Sequence, residues 1–159
     1  MANNTLPLRL AVPADAAKIT AIINAAFKLA EAFFVDGDRI NEIEVKQLLA
    51  KGAFLLAEAG ETLQGCVYVE LQGQRSYLGL LSVDPISQQS GLGSLLMQVA
   101  EQYCRELGSL FMDIVIVNVR AELPAFYAKR GYTTTGTSAF PADSPTRIPC
   151  HFINMSKAL

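Results

Sequence analysis

The chain has 159 residues, 51% of them hydrophobic and 18% charged, with a formal net charge of −2. This length suits one domain with a sizeable core, and this composition excludes a disordered chain. No run of Lys or Arg offers a basic face to nucleic acid, and no apolar run approaches the roughly 18 residues of a membrane span, so neither partner is expected.

The polar stretch Met1 to Leu8 carries no secretory-signal pattern. Cys66, Cys104 and Cys150 are odd in number, far apart and without metal-ligand spacing. They read as reduced thiols in or near the core of a cytoplasmic protein, with no metal site.

Leu8 to Ala11 predicts a first strand, and Pro13-Ala14-Asp15 opens a helix that buries Ile19, Ile22, Ile23 and Ala26. A loop follows, Glu31 to Arg39, before a second helix over Ile40 to Ala50 that stops near Gly52. Ala53 to Ala59 and Cys66 to Leu71 read as antiparallel neighbours turned at Ala59-Gly60-Glu61-Thr62. Tyr77 to Val83 is the next strand. Beyond it, Leu92, Leu95, Leu96, Val99, Tyr103 and Leu107 recur at helical spacing. The strands at Tyr77 and Met112 flank that helix as a right-handed βαβ crossover requires. Leu123 to Arg130 is a short helix stopped by Gly131, and Tyr132 to Thr137 and Cys150 to Lys157 close the chain around the loop Phe140 to Pro149. There is no internal repeat and no interdomain linker. The prediction is one mixed α/β domain over 1–159.

The chemistry concentrates where the Tyr77–Val83 strand runs through a small-residue loop into the helix after Gly91. Gly91 and Gly93 lack Cβ atoms, so a ligand can approach the backbone. The first helical N–H groups have no internal partner, and the helix dipole adds positive charge there. This is an anion site suited to a phosphate or pyrophosphate. A P-loop would need Lys then Ser or Thr after Gly93, where Ser94-Leu95 stand; a dinucleotide fingerprint would need a glycine at Leu96.

What remains resembles the coenzyme A loop of the GNAT family of N-acetyltransferases. That loop is Arg/Gln-x-x-Gly-x-Gly/Ala after a strand ending Val-x-Pro; Gln88, Gly91 and Gly93 follow Val83-Asp84-Pro85 here. A second segment, Asn118 to Tyr132, resembles the family's other coenzyme motif: an Asn ending a strand, an aromatic-Tyr pair (Phe126-Tyr127) on a short helix, then Gly131-Tyr132.

The resemblance implies a mixed, mostly antiparallel twisted sheet of about six to seven strands, with helices on both faces and a splayed central strand pair. It also implies acetyl-CoA as co-substrate and a primary amine, on a small molecule or a peptide, as acceptor. The pantetheine arm would pair with Leu81, Ser82 and Val83, and a backbone N–H near Leu81 or Ser82 would stabilise the oxyanion. The pyrophosphate would rest on the N–H groups of Gln89, Ser90, Gly91, Leu92, Gly93 and Ser94, with Gln88 opening the coenzyme loop and Asn118 and Phe126 beside the carrier. Tyr127 matches the tyrosine that faces the departing sulfur. An ordinary tyrosine is less acidic than a thiol, so Tyr127 fits better as a hydrogen-bond donor to the thiolate than as a full acid. It also fits a core tyrosine on a buried helix face.

Candidates for a base are Glu70, Glu31, Glu122 and His151, the only histidine; Glu70 reads equally as a solvated edge carboxylate and His151 as a structural residue. Asn118 reads equally as a strand-end hydrogen-bonding residue. Phe33 and Phe34 are candidates to line the acceptor cleft, or else Phe33 pins the loop to the core while Asp36 and Asp38 face solvent. The chain departs from the commoner family pattern in lacking a cation at Gln88-Gln89-Ser90. Arg120, Lys129 and Arg130 are the nearest substitutes. Two further readings stay open: a catalytically silent coenzyme A–binding sensor, and an interaction module that forms a homodimer through the edge of its final strand.

Overall fold

The computed structural model describes residues 8–88 and 90–159. The order is β1 (Leu8–Leu10), a 3₁₀ turn (Pro13–Asp15), α1 (Ala16–Glu31), α2 (Glu42–Lys51), β2 (Ala53–Ala59), β3 (Thr62–Gln72), β4 (Arg75–Val83), a second 3₁₀ turn (Pro85–Ser87), α3 (Leu92–Glu106), β5 (Phe111–Val117), α4 (Leu123–Ala128), β6 (Thr133–Ala139) and β7 (His151–Ala158). Element types and order follow the pattern read from sequence. The second helix starts two residues later than expected because Asn41 caps it, its side chain accepting from the Glu44 N–H at 2.9 Å. The strand expected from Cys66 begins at Thr62, because the turn at Gly60-Glu61 is tight enough for pairing to start at once.

One seven-stranded sheet runs in the order β1-β2-β3-β4-β5-β7-β6. Neighbours are antiparallel except β4 and β5, which α3 connects in parallel. The final strand β7 is therefore interior, flanked by β5 and β6, and carries no free edge. This corrects the expectation that it pairs with a second copy as an edge strand; among the described residues the edge strands are β1 and β6.

The side chains alternate along each strand and so build a core on each face. On one face Leu55, Val67, Val69 and Met112 meet Leu96, Met97, Ala100 and Cys104 of α3. On the other, Phe54, Leu56, Cys66 and Tyr68 meet Ile19, Ile22 and Ile23 of α1 and Val45 of α2. Burying a side chain such as Leu96, which has no exposed surface, contributes about 2 kcal/mol. All three cysteines are free thiols, Cys66 and Cys104 buried and Cys150 partly so. Among the described residues, no helix is long and apolar enough to cross a membrane.

Two polar ties fix α3 and the α1–α2 loop. Buried Glu101 of α3 accepts from the Tyr132 hydroxyl at 2.9 Å and from Lys157 Nζ at 2.8 Å. Asn24 of α1 reads both backbone groups of Ile40, donating to its oxygen at 2.9 Å and accepting from its N–H at 3.0 Å. These ties hold the elements that border the cleft described next.

Candidate active site

β4 and β5 pair over three rungs only, Arg75 with Phe111, Ser76 with Met112 and Tyr77 with Asp113. Beyond Tyr77 they separate. On its other side, β4 stays paired to β3 but carries one extra residue: Cys66 faces Ser82 and Tyr68 faces Gly79, so Leu80 and Leu81 together oppose Val67. Leu80 takes φ +53, the left-handed region that a branched side chain rarely enters. The bulge breaks the ladder at the edge of the gap and turns backbone groups out of the sheet.

The gap is a cleft of about 1010 Å³. One end is the glycine-led helix start that the sequence singled out. Gly91 holds φ +83 and caps α3, leaving the N–H groups of Leu92, Gly93 and Ser94 without intrahelical acceptors. A Cβ on Gly93 would have only Val83 Cγ2 within 4 Å, at 3.9 Å, so open space faces the backbone here. Gln88, Gly91, Leu92, Gly93 and Ser94 line the cleft, with Leu81 and Val83 of β4 and Phe126 and Tyr127 of α4.

Tyr127 is buried, its ring edge-on to Phe126 at 5.0 Å and to Tyr132 at 5.8 Å. Burial pushes its hydroxyl up to about 12, the nearby Arg120 and Arg130 cations opposing only part of that shift. Across the cleft, Glu31 at the end of α1 faces Arg120, with 3.6 Å between carboxylate and guanidinium. Burial raises the Glu31 carboxyl above the ordinary range despite the pull of Arg120 and Arg39. Arg120 also reaches the exposed Glu122 at 3.1 Å.

The remaining sequence candidates lie elsewhere. Glu70 is absent from the cleft wall; it accepts from the Tyr68 hydroxyl at 2.7 Å and from Gln72 at 2.8 Å, and these bonds lower its carboxyl. His151 is exposed at the start of β7, paired with Ala139, and does not line the cleft. Asn118 serves the strand end: its side chain accepts from the His151 N–H at 2.8 Å and its own N–H donates to the His151 oxygen at 2.9 Å. Ser82 is buried, with its hydroxyl donating to the Leu80 oxygen at 3.0 Å. Ser90 turns its hydroxyl back to the Ser87 oxygen at 2.6 Å. Gln89 lies outside the described residues.

Neither loop phenylalanine lines the cleft. Phe34 is fully buried and pins the loop, while Phe33, the residue expected to do so, is 55% exposed: the turn after α1 sends the second ring inward and the first outward. Val35, Asp36, Asp38 and Arg39 of the same loop form the wall instead. The sequence reading also missed that the β6–β7 loop closes over this end. Val35 bridges Thr146, the Arg147 N–H donates to the Phe34 oxygen at 2.8 Å, and the Arg147 side chain reaches Asp36 at 2.6 Å as well as the Ala32 and Phe33 carbonyls. No local pattern joins residues 114 positions apart, so only the fold shows this strap.

Comparison with known proteins agrees with this geometry. Residues 29–158 match the family model described as acetyltransferase (GNAT) domain. The fold superposes on the ribosomal-protein-alanine N-acetyltransferase from Brucella melitensis with TM-score 0.78 and 20% identity, covering 97% of this chain and 100% of that one. It superposes equally on the paia N-acetyltransferase from Thermoplasma acidophilum, solved in complex with coenzyme A, with TM-score 0.78, 15% identity and the same coverage. A curated relative, "Uncharacterized protein YxbD" of Bacillus subtilis (strain 168), is 34% identical over 53 residues, 33% of each chain, so the match spans a third of that relative's length. The splayed parallel pair, the glycine-capped helix and the family match over most of the chain lead to one conclusion: this protein belongs to the GNAT acetyltransferases.

Proposed function

We propose that this protein moves an acetyl group from acetyl-CoA to a primary amine, on a small molecule or a peptide, by direct attack within a ternary complex. One observation carries the reading: the unpaired amides at the start of α3 and the Tyr127 side chain line the same cleft, opened by the separation of β4 from β5. The pantetheine arm pairs with Leu81 and Val83 and the diphosphate rests on the Gly91–Ser94 amides. A turned-out N–H at the Leu80–Leu81 bulge meets the developing oxyanion.

The acceptor approaches from the Glu31 and Arg120 side. A lysine-like ammonium is only about 0.1% neutral at pH 7.4, so its proton must leave before attack. Glu31 is the cleft carboxylate whose raised pKa best suits that exchange; neither Glu70 nor His151 borders the cleft. The neutral amine then adds to the thioester carbon, the C–S bond breaks, and the amide nitrogen's surplus proton and the thiolate combine to give free thiol. With its hydroxyl near 12 against a thiol near ~8.5, full transfer from Tyr127 is uphill by about 5 kcal/mol. Tyr127 therefore donates a hydrogen bond to the leaving sulfur and keeps its proton. The three free thiols suit a reducing cytoplasm.

Release of free thiol from acetyl-CoA, measured against a panel of small amines and of peptides with free α-amino groups, tests the reading. Acceptor-dependent thiol release supports it. Thermal stabilisation by acetyl-CoA with no release for any acceptor would point to a silent binding module instead.

A further inference from the structure

The coenzyme loop carries no cation, yet a guanidinium stands beside it with no carboxylate partner among the described residues. Arg130 follows α4, and its Nη2 donates to the hydroxyl of Ser94, in the first turn of α3. Its Nη1 donates to the Phe126 oxygen at 2.6 Å, and its carbon centre lies 3.6 Å over the Phe126 ring. Its Nε is buried and makes no hydrogen bond among the described residues.

Arg9, Arg75, Arg120, Arg147 and Lys157 each pair with a carboxylate, and Arg130 is in none of the ion pairs among those residues. A half-buried charge with donors to spare is costly unless an anion joins it. Of the other two substitutes, Lys129 is exposed and off the cleft wall, and Arg120 is committed to Glu31 and Glu122.

Resting on the coenzyme reading above, we infer that Arg130 supplies the cation missing from the loop and binds the coenzyme's diphosphate. Phe126 and Ser94 fix the guanidinium plane, and its remaining N–H groups join the amides of Leu92 to Ser94 around the phosphate oxygens. The two coenzyme motifs thus share one ligand group, the amides from one and the charge from the other.

Calorimetry on the intact protein tests this with three ligands: coenzyme A, 3′-dephospho-coenzyme A, and S-acetylpantetheine, which has neither diphosphate nor nucleotide. Arg130→Met keeps the apolar stem over Phe126 without the charge, and thermal unfolding checks that it folds. The expected result is a Kd about 10-fold or more weaker for both nucleotide ligands, a flatter salt dependence, and S-acetylpantetheine affinity within twofold of wild type. Arg130→Lys should recover part of the loss.

Unchanged nucleotide affinity in Arg130→Met overturns the inference alone. A loss equal for all three ligands makes Arg130 structural, and a loss confined to coenzyme A assigns it to the 3′-phosphate; either result overturns it too. Wild-type protein that binds no nucleotide ligand overturns the coenzyme reading together with it.

Discussion

Tyr77 and Asp113 form the last rung joining β4 to β5, and the cleft begins where that pairing ends. Below the rung, Arg75 grips Asp113 through two hydrogen bonds of 2.7 and 2.6 Å, so the closed end of the strand pair is clamped just before it opens. The bulge at Leu80 and Leu81 lies in the part of β4 beyond this last rung. It is across this opening that we propose coenzyme and acceptor meet.

Tyr127→Phe removes one hydroxyl and leaves the ring edge-on to Phe126 and Tyr132. The kcat should fall about 10- to 100-fold with KM for acetyl-CoA nearly unchanged, as expected for a donor used only as the sulfur departs. Steady-state kinetics checks this, and a full-rate variant would remove the hydroxyl from the mechanism. Because burial holds the hydroxyl near 12, wild-type rate should show no loss from tyrosine ionisation below about pH 10.

Glu31→Gln keeps shape and removes the titrating group. For wild type, kcat/KM should rise with pH as the Glu31 carboxyl, raised by burial, loses its proton and becomes able to accept one. The variant should lose about 10²-fold in kcat/KM and lose that acidic limb. A pH–rate profile of both proteins decides it, since an unchanged limb in the variant would assign it to another group.

Gly91 and Gly93 should separate stability from binding. A Cβ on Gly91 meets nothing within 4 Å, but φ +83 makes Gly91→Ala costly by about 1 kcal/mol, or roughly 2–4 °C in Tm. Gly93 is an ordinary helical position, so Gly93→Ala should hold or raise Tm while its methyl group intrudes where the diphosphate lies. Coenzyme affinity should drop about 10-fold for Gly93→Ala, measurable by calorimetry beside thermal melts.

Asp15 is buried and accepts two bonds from Arg9, at 2.9 and 2.7 Å, and one from the Val12 N–H at 2.8 Å. Led by the Arg9 bonds, these hold its carboxyl below the ordinary 3.8. A depressed acid stabilises the fold above its unfolded pKa, and that contribution fades as pH falls below about 4. Arg9 is 42% exposed, so screening limits the contribution to about 1 kcal/mol. Asp15→Asn should lower stability near pH 7 by that amount and match wild type near pH 2, as urea titrations at both pH values would show.

The local signals were legible because each acts within a few residues. Helical spacing marked Ile19, Ile22 and Ile23, and glycines with an unpaired helix start marked Gly91 to Ser94. What escaped the sequence depends on register and on loops meeting across the fold. Asn118 sits at a motif position, yet its side chain is spent on His151 at the end of β7. Of adjacent Phe33 and Phe34 the sequence favours the wrong one as core anchor, because the turn after α1 sends Phe34 inward and Phe33 outward. Glu31 looked like one acid among several, and only the fold, which buries it in the cleft wall and leaves Glu70 off that wall, sets the two apart. The missing loop cation was visible as an absence; its replacement needed the contact between Arg130 and Ser94.

A crystal of the protein grown with acetyl-CoA tests the central claim most directly. The account predicts continuous density for the carrier between β4 and β5, with pantetheine along Leu81 to Val83, diphosphate on the amides of Gly91 to Ser94, and sulfur beside the Tyr127 hydroxyl. A cleft without the coenzyme at saturating concentration, or the coenzyme seated on another face of the sheet, would contradict it.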